Sequence, residues 1–295
     1  MRPTPLAPVT ALSRAYGLDL LAKHENLTPT RSFKIRGAAV RLQALRHQRG
    51  VVTATMGNHG WAVAYVAARM GVPAVVVFPE AASRVKVEHT RGLGAEIRVA
   101  GETYTDATDE AARIAATEDL ELINDGGDLE LMVGAGTTAL EILQQRPDTD
   151  VILVPTGGGN LLAGVAICAK ALKPAVQVIG VQAEGAASVY ESWKAKAIVH
   201  ITARTIADGL KGDEPGALTF PYLLRYVDDF ALVSDEEIAR AVGVALEEVG
   251  QVVEPAGAAS LAAARSGREH WAGKTVAAIL TGGNADVETI RACLG

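Results

Sequence analysis

Four short segments combine glycine-rich spacing with residue types that bind anions or carry reactive protons. Thr156-Gly157-Gly158-Gly159-Asn160-Leu161-Leu162 follows an apolar run and opens a helical pattern that reaches about Leu172. Bare glycines there let successive backbone N–H groups converge on an anion at a helix N-terminus, where the helix dipole favours negative charge. A tight packing turn would use the same glycines, but the anion-site geometry favours a phosphate. No Lys-Ser/Thr pair follows, so this is not a P-loop, and it is not GxGxxG. Thr281-Gly282-Gly283-Asn284 also follows an apolar run. A hydroxyl held at such a strand end can hydrogen-bond a neutral ring nitrogen. Thr55-Met56-Gly57-Asn58-His59-Gly60 offers N–H groups at a helix start, suited to a carboxylate, and Asn58 adds a donor and an acceptor. His59 reads as a capping or packed histidine rather than a base. The fourth segment, Lys23 to Ala38, carries Lys34 at a helix start, after a Pro-containing turn and beside Phe33. A lone lysine is by default a surface residue. Burial lowers an amine pKa and frees it to attack a carbonyl.

These segments need elements to position them. Short β-branched runs alternate with Ala-rich helical patterns: Val51–Ala54 before a helix over 58–70, Ala74–Phe78 before 83–91, Ile97–Val99 before 105–117. This is the rhythm of βαβ crossovers and a parallel sheet. The second half repeats it with runs at 151–154, 176–181, 230–233 and 276–280, and a helix over 235–249 entered through a capping box at Ser234. The fold class is therefore α/β, with two doubly wound parallel-sheet domains. A small domain is expected over 50–130, and a larger one from 1–49 plus 131–295. In such sheets ligands sit at the carboxyl ends of strands, which is where three of the four segments fall.

Composition removes other classes. Among 295 residues, 28 Lys and Arg stand against 34 Asp and Glu, a net charge of −6, which gives no general attraction to nucleic acid or anionic membrane. Aromatics at 4% are too few for a base-stacking surface. The uncharged stretch 151–169 is broken at its centre by Pro155 and three glycines, so it is not a membrane span. Cys168 and Cys293 lie far apart, which excludes a disulfide framework and fits a reducing cytoplasm. The N-terminus has no apolar signal core, and no targeting segment is expected.

Taken in order, Ser32-Phe33-Lys34-Ile35-Arg36-Gly37-Ala38, Gly57-Asn58-His59-Gly60, the triglycine loop, Thr205-Ile206-Ala207-Asp208-Gly209, Val253-Glu254-Pro255-Ala256-Gly257-Ala258 and Thr281-Gly282-Gly283-Asn284 span nearly the whole chain. This series resembles the pyridoxal-phosphate enzymes of fold type II, in the threonine/serine dehydratase and serine racemase branch. The resemblance implies the cofactor pyridoxal 5'-phosphate, with Lys34 as the lysine that bonds to it and acts in catalysis. Phe33 then packs on the ring, and Asn58 hydrogen-bonds its hydroxyl. Gly157, Gly158, Gly159, Asn160 and Leu161 hold the phosphate, and Thr281 faces the ring nitrogen. Thr55, Met56, Gly57, Asn58 and His59 form the loop that receives the substrate carboxylate. The implied reaction converts a β-hydroxy amino acid, L-threonine or L-serine, to a 2-oxo acid and ammonia. A cytoplasmic homo-oligomer, dimer or tetramer, of the short catabolic kind without a regulatory domain is expected.

Four positions depart from the family pattern. Met56 stands where a small residue is usual, and a thioether cannot shuttle the proton that racemisation needs. Asn160 replaces a fourth glycine. Glu184 matches a cation ligand of some relatives, but Tyr190 stands where an acidic residue is expected, which leaves the metal site unknown. The chain also starts almost at Thr4-Pro5-Leu6, without the usual preceding helix. Competing activities are 3-hydroxyaspartate or phenylserine dehydration, serine racemisation and cysteine-synthase-like β-replacement. The last usually carries Asn-Thr-Gly rather than Asn58-His59-Gly60. A dinucleotide-binding oxidoreductase leaves Lys34 without a role, and a binding protein without catalysis is separated from an enzyme by turnover of threonine.

Overall fold

A computed structural model describes residues 2–46 and 49–295. The strands are β1 (Leu6–Pro8), β2 (Asp19–His24), β3 (Val51–Ala54), β4 (Ala74–Phe78), β5 (Glu96–Val99), β6 (Glu121–Leu122), β7 (Val151–Pro155), β8 (Gln177–Ala183), β9 (Asp229–Val233) and β10 (Thr275–Leu280). The helices are α1 (Thr10–Tyr16), α2 (Lys34–Gln43), α3 (Asn58–Met70), α4 (Arg84–Arg91), α5 (Tyr104–Glu118), α6 (Leu129–Gln145), α7 (Asn160–Leu172), α8 (Ser188–Ala195), α9 (Phe220–Tyr226), α10 (Asp235–Val244), α11 (Pro255–Ser266) and α12 (Val287–Leu294). The chain forms two compact units, residues 32–134 and residues 1–31 with 135–295.

The unit over 32–134 is built on a parallel sheet in the order β5-β4-β3-β6. Its central strands β3 and β4 are buried on both faces because helices cover both. Val75 and Val77 of β4 join Ala107, Ala111 and Ile114 of α5 in one cluster, whereas Val76 and Phe78 cluster with Ala64 of α3. The two-residue alternation of a strand thus sends neighbouring side chains to opposite helical layers. Residues 34–43, expected in the larger block, group with this smaller unit. Ile35, Ala38 and Leu42 of α2 share a buried cluster with Val51 of β3 and with Ala62 and Val63 of α3, so apolar packing decides where α2 belongs.

The unit over 1–31 and 135–295 carries a six-stranded sheet in the order β1-β2-β10-β7-β8-β9. All its neighbouring pairs are parallel except β1 with β2, an antiparallel edge pair in which Leu6 faces Lys23. Lys23 is fully buried and donates to the Thr4 carbonyl at 2.8 Å and to Glu141 at 2.6 Å. This pins the N-terminal segment. The capping box at Ser234 is present, with Glu237 N–H donating to its hydroxyl and its own N–H donating to the Glu237 carboxylate. The helix expected over 235–249 runs as α10 to Val244 and then as one wide π turn over 245–249. Gly250 ends it at φ 67°, a left-handed stop that glycine adopts without strain.

Candidate active site

Within the unit over 32–134, Lys34 is the first residue of α2, and its N–H donates to the Ser32 hydroxyl at 3.2 Å. Its amine lies 5.4 Å from the centre of the Phe33 ring. The same Nζ donates to both carboxylate oxygens of Asp125, at 2.7 and 2.5 Å. Asp125 sits on the turn between β6 and α6, and several bonds hold that turn. Asn124 N–H and Arg41 Nε both donate to Asp128, and Arg41 also pairs with Glu121 at 2.7 Å. Since Arg41 belongs to the same helix as Lys34, one helix fixes both the amine and the turn that faces it.

The electrostatics follow from this geometry. Burial pushes the Asp125 carboxyl up, but neighbouring His59 and the Lys34 ammonium oppose it, and the net result is a pKa lowered to about 2. Lys34 is the cause that survives at neutral pH, because burial lowers the pKa of His59 and keeps its imidazole neutral. His59 Nδ1 lies 3.5 Å from Asp125. Tyr104, at the start of α5, is pushed up to about 12 by burial and then by the Asp125 charge.

The loop before α3 is organised by Thr55. Its buried hydroxyl accepts from Gly57 N–H at 2.8 Å and from Gly60 N–H at 3.1 Å. A Cβ on Gly60 would stand 2.4 Å from Thr55 Cγ2 and 2.6 Å from Val76, so the turn requires glycine there. Asn58 opens α3 half-buried, His59 is buried, and Met56 is exposed. A helix N-terminus such as that of α3 favours a carboxylate, and within it Gly60 N–H already donates to Thr55.

In the unit over 1–31 and 135–295, the triglycine loop joins β7 to α7. Thr156 N–H donates to Val181, and its hydroxyl donates to the Val154 carbonyl. A Cβ on Gly157 would meet the Gly209 carbonyl at 2.7 Å, so the loop lies directly on the segment 208–212. Gly159 is the N-cap of α7 at φ 98°. Gly158 differs: a Cβ there meets nothing within 4 Å. Its carbonyl is tied back by Gly216 N–H at 3.0 Å. The loop is therefore packed on one side and open on the other, with Asn160 and Leu161 in the first turn of α7. Thr281 is buried just beyond β10. The loop after it is fixed by Glu254 N–H donating to Gly282 and by Gly283 N–H donating to Arg31. Asn284 donates from its side chain to the Thr30 carbonyl at 2.9 Å.

The expected residues thus form two sets, each within one unit. Lys34, Phe33, Thr55, Met56, Gly57, Asn58 and His59 fall in one; Gly157, Gly158, Gly159, Asn160, Leu161 and Thr281 fall in the other. The sequence reading missed Asp125, whose only signal was an acid in a Gly-rich turn. Tyr190, where a cation ligand was sought, stacks edge-on to Phe230 at 6.0 Å. Among the described residues no group of three or more His, Cys, Asp or Glu is arranged to hold a metal ion. Among them, too, no helix is long and apolar enough to cross a membrane.

The chain is similar to known proteins along nearly its whole length. The family described as pyridoxal-phosphate dependent enzyme matches residues 1–282. An L-threonine ammonia-lyase of Thermotoga maritima is 39% identical over 97% of this chain and 72% of its own. An L-threo-3-hydroxyaspartate ammonia-lyase of Saccharomyces cerevisiae is 35% identical over 97% of this chain and 89% of its own. The structure of maize serine racemase superposes with a TM-score of 0.94 at 33% identity, over 99% of this chain and 92% of that one.

Proposed function

The chain belongs to the family of pyridoxal-phosphate dependent enzymes, and from that premise we propose that it is an ammonia-lyase for a β-hydroxy amino acid. L-threonine or L-serine is the substrate, and a 2-oxo acid and ammonia are the products. The cofactor is pyridoxal 5'-phosphate, and the residues present fit it. The triglycine loop is open at Gly158 and packed behind Gly157, the shape a compact phosphate needs. Lys34 supplies a half-buried amine at a helix start. Bound there, the cofactor supplies the electron sink for loss of the Cα proton.

In this reading Lys34 carries the cofactor, and its Nζ then takes the Cα proton as general base. Phe33 would pack against the ring, and Asn58 would hydrogen-bond the ring hydroxyl. Gly157 to Leu161 would hold the phosphate through backbone N–H groups. Thr55 to His59 receive the substrate carboxylate on the N–H groups that open α3. The observation that carries elimination over other outcomes is Thr281, a buried neutral hydroxyl at the end of β10 where a carboxylate would protonate the ring nitrogen. Met56 offers no proton to the opposite face of Cα, which sets this chain apart from a racemase. The free thiols of Cys168 and Cys293 support a cytoplasmic setting, and the family resemblance supports a homo-oligomer, checked by light scattering.

The test is a 2-oxo acid assay across threonine, serine, 3-hydroxyaspartate and phenylserine. Highest kcat/KM with threonine or serine is expected. Turnover confined to 3-hydroxyaspartate or phenylserine would reassign the substrate, and no turnover of any would overturn the activity.

A further inference from the structure

A lysine that attacks carbonyls is ordinarily activated by a dry pocket or a neighbouring cation, both of which favour the neutral amine. Lys34 instead has a carboxylate directly beside it. Both Asp125 oxygens reach its Nζ, at 2.7 and 2.5 Å, and the side chains of the pair are only 23% and 26% exposed. The turn that carries Asp125 is held to α2 through Arg41, which bonds Asp128 at 2.9 Å and Glu121 at 2.7 Å. The amine and carboxylate therefore meet because the backbone places them together, not through a chance encounter of two long side chains. Two further groups act on Asp125, His59 from α3 and Tyr104 from α5, and both are neutral at neutral pH.

We propose that Asp125 is a positioning residue for Lys34, whose carboxylate holds the amine aimed and doubly hydrogen-bonded until a carbonyl compound claims it. Before Nζ bonds to a carbonyl carbon, it gives a proton to bulk water, and the carbonyl oxygen leaves as water. The two hydrogen bonds to Asp125 must break before Nζ can turn to a carbonyl carbon, and so they protect the cofactor-free chain from adventitious carbonyls and acyl donors. Charge-assisted, two-point hydrogen bonding also fixes the direction of Nζ, which a single neutral bond would not. The proposal rests on the reading of Lys34 as the cofactor-bearing amine.

The experiment uses the full cofactor-free chain and limiting acetic anhydride at neutral pH. Each lysine's acylation rate is followed by peptide mass mapping; the N–C bond forms, acetate leaves and the amine proton passes to buffer. In Asp125→Asn, Lys34 should react about ten- to a hundred-fold faster, the range by which a hydrogen bond to a charged group biases an equilibrium. Lys86, Lys170 and Lys211 should react at unchanged rates, and Asp125→Glu should restore most of the protection. Equal Lys34 rates in Asp125→Asn and the unmodified chain would overturn the proposal. If Asp125→Asn does not fold, the unmodified chain decides. Lys34 must then react at least about ten-fold more slowly than Lys211, whose partner Asp208 is exposed, and equal rates would refute it. Borohydride trapping of pyridoxal phosphate separates the two claims. A label on another lysine ends the reading of Lys34, while the acylation rates still judge Asp125.

Discussion

Replacing Gly158 by aspartate tests the proposed phosphate site at the triglycine loop with little disturbance to the fold. A Cβ at Gly158 meets no atom within 4 Å, so the side chain enters open space on the unpacked side of the loop. Gly157 shows the contrast, since a Cβ there would stand 2.7 Å from the Gly209 carbonyl oxygen. Gly158→Asp should therefore melt close to the unmodified protein, whereas Gly157→Ala should lower Tm. The electrostatic cost is larger. A phosphate near −1.5 charge and a carboxylate ~5 Å apart, at an effective dielectric of ~40 for an exposed loop, repel by about 2.5 kcal/mol. That corresponds to about 70-fold weaker cofactor binding. Gly158→Asn keeps the shape without the charge and should lose less than about five-fold, the scale of a small loss of contact. The assay is equilibrium ultrafiltration of pyridoxal phosphate against each variant, with circular dichroism to confirm the fold. If Gly158→Asp bound within three-fold of the unmodified protein, the phosphate would lie elsewhere. If the asparagine variant lost as much as the aspartate, shape rather than charge would be responsible.

Three further outcomes are expected. Thr281→Asp should slow 2-oxo acid formation while side reactions such as transamination rise, because a carboxylate favours a protonated ring nitrogen; unchanged or faster elimination would remove the role given to Thr281. Met56→Ser should raise D-serine formation, measured by chiral chromatography, since a positioned acid contributes about 10²- to 10⁴-fold; abundant D-serine from the unmodified protein would show that another residue donates on that face. Asp125 has a folded pKa below its unfolded value, so its stabilisation is present above about pH 4 and lost as pH falls through about 2. The stability gap between the unmodified chain and Asp125→Asn, from urea melts, should be about 2 kcal/mol at pH 6 and shrink as pH drops below about 4; a gap independent of pH would mean that Asp125 acts through shape and not charge.

What the sequence could show divides along a physical line. Strands covered on both faces write themselves as unbroken β-branched runs, and tight strand-to-helix turns write themselves as glycines, so β3, β4, β7, β10 and the loops after them were legible. The packing partner of an amphipathic helix is not written in its own residues. Leu42 and Ile35 announce a buried stripe on α2, but nothing in 34–43 says that the stripe meets α3. Arg31 adopts φ 50°, in the left-handed region, yet a charged residue before Ser32-Phe33-Lys34 gives no sign of it. It takes that conformation while its carbonyl accepts from Gly283, a partner more than two hundred residues away. Asp125 was hidden for the same reason. Its turn, Asn124-Asp125-Gly126-Gly127-Asp128, has the composition of any solvated loop, and its importance comes entirely from Lys34, ninety-one positions earlier. Lys34 is legible from its neighbours in sequence because they build the helix start that presents it. The counter-ion that governs it has no such local signature, since electrostatic partnership depends on distance in space alone. Local patterns therefore show where an amine sits, and only the folded chain shows the charge it faces.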